Sequence, residues 1–134
     1  MASTDPEAIV KEAKSIAVVG ASNDPEKDSH EVASYLKEQG YRVIPVNPTE
    51  EEVLGERAYD SVDQIPEQID VVDVFLPPEK TPEIADDAVR AGAKVLWLQE
   101  GIENKEARQT AEEGGLIYVE DRCMRKTHER LQKS

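Results

Sequence analysis

Five short apolar runs of strand length, each rich in β-branched residues, recur along the chain: SIAVVG (15–20), RVIPVN (42–47), DVVDVFL (70–76), KVLWLQ (94–99) and LIYVED (116–121). Most of the intervals between them carry helical patterns. SHEVASYLKEQG sets Val32, Ala33 and Leu36 on one face, and PEIADDAVRAG does the same with Ile84, Ala88 and Val89. Gly40 and Gly92 stand where helix C-caps belong, and NKEARQTAEEGG opens on Asn104, a good N-cap, and ends in Gly114-Gly115. Strand alternating with helix predicts an α/β fold, a parallel sheet with right-handed crossovers. The interval PTEEEVLGERAYDSVDQIPEQI departs from this: it predicts one short helical turn at most, with Tyr59 and Ile65 capping a sheet edge. DPEAIVKEA predicts a short helix packed on the sheet, and MRKTHERLQKS a basic last helix or frayed tail.

At 134 residues the chain suffices for one domain, 1–134, and is too short for two. Its 29 Asp and Glu against 16 Lys and Arg give a formal charge of −13, spread through nearly every helical pattern. Such a surface repels nucleic acid and anionic membrane. It serves solubility, or salt adaptation if screening relieves the mutual repulsion of the acids. The single cysteine, Cys123, excludes an internal disulfide and suits a reducing cytosol. No apolar run approaches the roughly 18 residues of a membrane span, and MASTDPEAIVKEAK lacks the apolar core of a signal peptide, so the expected location is the cytoplasm.

In open α/β sheets ligands sit beyond the carboxyl ends of the strands, which makes the residues after each run the informative ones. After the first run, GASNDPEKDS offers Gly20 for a tight turn, the amides of Ala21, Ser22 and Asn23 for an anion, the Ser22 hydroxyl, and Lys27 as a cation. The same stretch is also compatible with an ordinary βα loop N-capped by Asp28 or Ser29. A nicotinamide site wants Asp or Glu after the second run to accept from ribose hydroxyls; Asn47-Pro48 stand there instead, with Glu50-Glu51-Glu52 further out. Pro77 and Pro78 after the third run suit an apolar wall for adenine or a simple helix start. Gln99, Glu100 and Gly101 follow the fourth.

Taken together in order, VGAS, VNP, PPE, QEGI and the DRC that follows the fifth run resemble the CoA-binding domain family of small stand-alone proteins. They are more distantly similar to the amino-terminal CoA-binding domain of the succinyl-CoA synthetase α subunit and of ADP-forming acyl-CoA ligases. The resemblance covers roughly residues 8 to 125. It implies a Rossmann-like three-layer sandwich on a five-stranded parallel sheet in the order 3-2-1-4-5. It also implies coenzyme A or acyl-CoA as ligand, with the diphosphate on Gly20, Ala21, Ser22 and Asn23 and the turn at Asn47-Pro48. Adenine would lie between the loops after the second and third runs, on the Pro77-Pro78 wall, and the pantetheine side near Gln99, Glu100 and Gly101. Cys123 matches the family's cysteine after the last strand. Thr49 and three glutamates replace the basic residue common after the family's NP turn, and Lys27, or Arg42 from the other end of its strand, is the candidate substitute.

The sequence offers no metal cluster and no nucleophile–base pair. His30 is expected as a solvent-facing residue at a helix start and His128 as part of the basic tail. Glu100 and Asp121 are expected near each other at the top of the sheet, a thin basis for a general base. Cys123, with Arg122 and Arg125 beside it, is either a small packed residue or a redox partner for the cofactor's thiol. The reading is therefore a CoA-binding, carrier or sensing module rather than a self-sufficient enzyme. A small NAD(P)-binding oxidoreductase or redox sensor is the alternative, and a protein partner stays open.

Overall fold

The computed structural model describes residues 4–133. In chain order the elements are α1 (Pro6–Glu12), β1 (Ser15–Val19), α2 (Asp28–Glu38), β2 (Arg42–Val46), β3 (Glu52–Val53), β4 (Glu56–Arg57), β5 (Val71–Val74), α3 (Thr81–Arg90), β6 (Val95–Leu98), α4 (Lys105–Glu113), β7 (Ile117–Val119) and α5 (Met124–Gln132). The five apolar runs become one parallel sheet in the order β2-β1-β5-β6-β7. β1 is buried along all five residues. Ile16 and Val18 join Ile9 and Val10 of α1, Val32 and Leu36 of α2 and Met124 of α5 on one face; Ala17 and Val19 join Ala85 and Ala88 of α3 and Ala107 and Ala111 of α4 on the other. A strand covered on both faces must be apolar at every position, which is why these runs do not alternate. The result is a three-layer, Rossmann-like α/β sandwich.

The wound order 3-2-1-4-5 is consistent with this sheet once its third place is given to the extended segment at Tyr59. That residue bridges Val46 in parallel on the outer side of β2, its N–H donating to Pro45 O at 3.0 Å while the Asn47 N–H donates to Tyr59 O at 2.9 Å. The run DVVDVFL then stands fourth, on the opposite side of β1. Between Asn47 and Tyr59 the chain forms a hairpin, β3 with β4, closed by Leu54 (φ 54°) and Gly55 (φ 77°). Both turn residues at positive φ match the twist of the two strands. The hairpin occupies part of the interval for which one short helical turn at most was expected, and that turn is a 3-10 turn at Val62–Gln64.

Three helix ends differ from expectation or sharpen it. α2 begins at Asp28 behind Lys27, which makes no side-chain capping bond, so neither Asp28 nor Ser29 is the cap. Asn104 caps α4 as expected, its Oδ1 accepting from the Ala107 N–H at 2.8 Å. α5 is a packed helix and not a frayed tail: His128 is buried, its Nδ1 lies 2.7 Å from the Tyr35 hydroxyl, and α5 packs along α1. Trp97 in β6 is fully buried, and its indole N–H donates to Arg122 O at 2.8 Å, tying the sheet to the start of α5. Among the described residues no helix is long and apolar enough to cross a membrane.

Candidate functional site

The chain leaves β1 toward α2 on one face of the sheet and leaves β5 toward α3 on the other. Adjacent strands whose connections part in this way open a crevice at their carboxyl ends. A cleft of about 520 Å³ lies there, lined by Lys27, Asp28, Ser29, Glu31 and Val32 from the start of α2, Phe75, Leu76 and Pro77 after β5, Gln99, Glu100 and Ile102 after β6, and Cys123, Arg125 and Lys126 at the start of α5. Helices α2 and α5 both present amino-terminal turns to it, and neither carries a side-chain cap. Helix N-termini bring partial positive charge and unspent N–H donors, a setting suited to an anion.

The loop from β1 to α2 is held by its own bonds, and its residues Gly20, Ala21, Ser22 and Asn23 are not among those that line the cleft. Gly20 adopts φ +86°, and a Cβ there would come within 3.0 Å of Phe75 O and 3.2 Å of Leu76 Cδ2, so backbone meets backbone where the two strands end. The Asn47 Nδ2 group donates to Ala21 O at 2.7 Å, and the His30 ring lies with Nδ1 2.9 Å from Ser22 O. His30 is thus half-buried and anchors the loop rather than facing solvent. The Ser22 hydroxyl accepts from the Asp24 N–H at 3.0 Å, and Asn23 Nδ2 donates to Glu50 Oε2 at 3.2 Å and Glu52 O at 2.8 Å. Those bonds use carbonyls and side chains. Among the described residues, the N–H groups of Ala21, Ser22 and Asn23 meet no acceptor.

Elsewhere the expected residues divide. Lys27, Pro77, Gln99, Glu100 and Cys123 share the cleft. Asn47 and exposed Pro48 stand behind the β1 loop, with Asn47 Oδ1 accepting from the Thr49 N–H and hydroxyl at 2.8 Å each. Pro78 turns its carbonyl to Thr81 Oγ1 at 2.7 Å and Asn104 Nδ2 at 3.0 Å, fixing the entry to α3. The Gly101 N–H donates to Asp121 Oδ1 at 2.6 Å, with both residues at positive φ, and Glu100 pairs with Lys126 at 2.9 Å. That hydrogen bond raises the Lys126 pKa. Glu100 and Asp121 do lie at one end of the sheet, but each is already engaged. Arg42 is at the other end, its guanidinium shared by Glu56 at 2.6 Å and Glu67 at 2.7 Å, and so supplies no cation to the cleft. Lys126, Ser29 and Phe75 were not expected in the site, and Arg125 was read only as a neighbour of Cys123; the pair Arg125-Lys126, two residues beyond Cys123, was the available signal.

Comparison with known proteins resolves the family. A family model described as a CoA binding domain matches residues 14–129. The chain belongs to the CoA-binding domain family. It is 40% identical over 120 residues to the uncharacterized protein YneT of Bacillus subtilis, covering 90% of this chain and 89% of that one. It is 36% identical over 122 residues to the alpha subunit of an ADP-forming acetate–CoA ligase II of Pyrococcus furiosus, covering 83% of this chain but 27% of the subunit. A hypothetical protein from Pyrococcus horikoshii OT3 has the same fold at a TM-score of 0.93 and 50% identity, over 96% of this chain and 90% of that one.

Beneath the cleft of this CoA-binding domain, β5 carries Asp73, which pairs in register with Val18 and Trp97. It is fully buried and neither carboxyl oxygen has a hydrogen-bond partner. Burial holds the carboxyl well above the ordinary carboxylate range. In strong acid both folded and unfolded chains carry this proton. As pH rises past the ordinary value the unfolded chain ionises first, and stability falls by about 1.4 kcal/mol per pH unit until the folded group ionises too. Asp73→Asn cannot ionise, so its melting temperature is expected to rise relative to the wild type in the pH window that opens above about pH 4. A difference that stays constant across that window would mean that Asp73 is charged in the fold.

Proposed function

We propose that the chain binds coenzyme A or an acyl-CoA in this cleft and acts as a binding, carrier or sensing module for it. The observation that carries the reading is the uncapped α2 terminus with Lys27 at the crevice of a CoA-binding domain, preceded in the chain by the Gly20 loop, whose three amides meet no internal acceptor. These donors suit the diphosphate, and the rings of Phe75 and Pro77 offer apolar surface to the rest of the ligand. Asn47 speaks against nicotinamide nucleotides. It stands where a ribose-binding carboxylate belongs, and both ends of its side chain are committed to the protein's own backbone. Cys123, buried at the cleft, favours a second reading in which the module exchanges disulfides with the cofactor's thiol.

Titration calorimetry of the full chain with CoA, acetyl-CoA, NAD(H) and NADP(H) tests the assignment. Saturable binding of the two CoA species with none of the nicotinamide nucleotides is expected. Binding of a nicotinamide nucleotide without CoA would overturn it.

A further inference from the structure

Arg125 has an unusual pattern of contacts. One terminal nitrogen, Nη1, donates to Glu31 Oε1 at 2.6 Å across the gap between α5 and α2, while Nε is buried and has no partner. Both residues line the cleft. A guanidinium offers a planar fork of donors that matches a phosphate or carboxylate with two parallel bonds. Here the contact with Glu31 uses one tine, and a buried donor without an acceptor is unfavourable.

The other charges in the cleft give this pair its meaning. Three cations line it, Lys27, Arg125 and Lys126, against three carboxylates, Asp28, Glu31 and Glu100. Lys126 is held by Glu100 at 2.9 and 3.1 Å. An arriving anion meets a protein of formal charge −13, and two of the three local cations already have carboxylates on them.

We infer that Arg125 is a phosphate ligand of the bound cofactor and that Glu31 is its internal competitor: a phosphate takes the terminal nitrogens of the guanidinium, and Glu31 is released to solvent. The inference rests on the CoA reading above and adds its regulation. The Glu31–Arg125 pair also bridges α2 to α5, so ligand entry exchanges a link between helices for a link through the ligand. The Glu31 side chain is 55% exposed, which makes its release into water inexpensive.

Two variants test this by calorimetric titration of the full chain with CoA, with thermal melts to show that both are folded. Arg125→Gln is expected to weaken CoA binding by at least about tenfold, the scale of hydrogen bonds to a charged group. Glu31→Gln, which keeps the size of the side chain and removes the competing charge, is expected to tighten it by about fivefold. The inference requires both. If Glu31→Gln tightens binding while Arg125→Gln leaves it unchanged, only long-range charge is at work; if Arg125→Gln weakens it while Glu31→Gln does not tighten it, there is no competition. Either result overturns the inference while leaving CoA binding in place. A wild-type protein that binds no CoA would remove the functional reading and this inference together.

Discussion

Ser22→Glu is expected to abolish measurable CoA binding while the melting temperature stays close to that of the wild type. Ser22 sits in the loop whose three amides meet no internal acceptor, and its side chain is half-buried, away from either apolar cluster of the core. A carboxylate about 5 Å from a phosphate, at the effective dielectric of about 20 that suits such sites, repels it by about 3 kcal/mol, roughly a hundredfold in affinity. Ser22→Ala removes only the hydroxyl that receives the Asp24 N–H and is expected to weaken binding by severalfold at most. Calorimetry on both variants, with melts as the folding control, measures this. Equal affinity in Ser22→Glu and wild type would take the Gly20 loop out of the binding site.

The second large effect concerns Cys123. Oxidised CoA is expected to modify this residue about a hundredfold faster than a small symmetrical disulfide of similar leaving-group acidity. The Cys123 thiolate attacks one sulfur of the CoA disulfide, a protein–CoA disulfide forms as the original S–S bond breaks, and CoA departs as a thiolate that takes a proton from water. Oxidation level is conserved, so no further oxidant enters. The rate advantage comes from binding, since the cleft that would hold the cofactor is lined by Cys123 itself. Intact-mass kinetics on wild type and Ser22→Glu separate the contributions: the loop variant is expected to lose the advantage for oxidised CoA and keep the rate with the small disulfide. Equal rates for both disulfides in both proteins would assign Cys123 to packing alone.

Much of the architecture was legible because it rests on local signals. Continuous β-branched runs mark strands covered on both faces, and Asn104 marks a helix start by a bond spanning three residues. The hairpin at Glu52–Arg57 was not legible. Its turn is Leu54-Gly55, without the Asn-Gly or Asp-Gly pair that announces two residues at positive φ, and its strands are two residues each. The place of DVVDVFL in the sheet depended on Tyr59, which was read at a sheet edge but not as a strand place of its own; its bridge to Val46 is a long-range contact. The site divides along the same line. Glycines, prolines and amides follow their strands and can be read in order. The partner of a charged side chain cannot: Arg42 falls to Glu56 and Glu67, Arg125 to Glu31, and His128 to Tyr35, 93 residues away. Net composition says that the chain is acidic and is silent on which carboxylate sits on which cation.

The bond from the Trp97 indole to Arg122 O has an optical consequence. Trp97 is the sole tryptophan of the chain, it is fully buried, and its one polar atom holds the carbonyl that immediately precedes Cys123. Indole emission depends on the hydrogen bond and the local field at that nitrogen. Every photon of tryptophan fluorescence from this protein therefore originates beside the junction that leads into α5, on the strand whose end helps to line the cleft. The wild-type chain carries a built-in emission probe near the cleft, free of background from any second tryptophan and without an attached label.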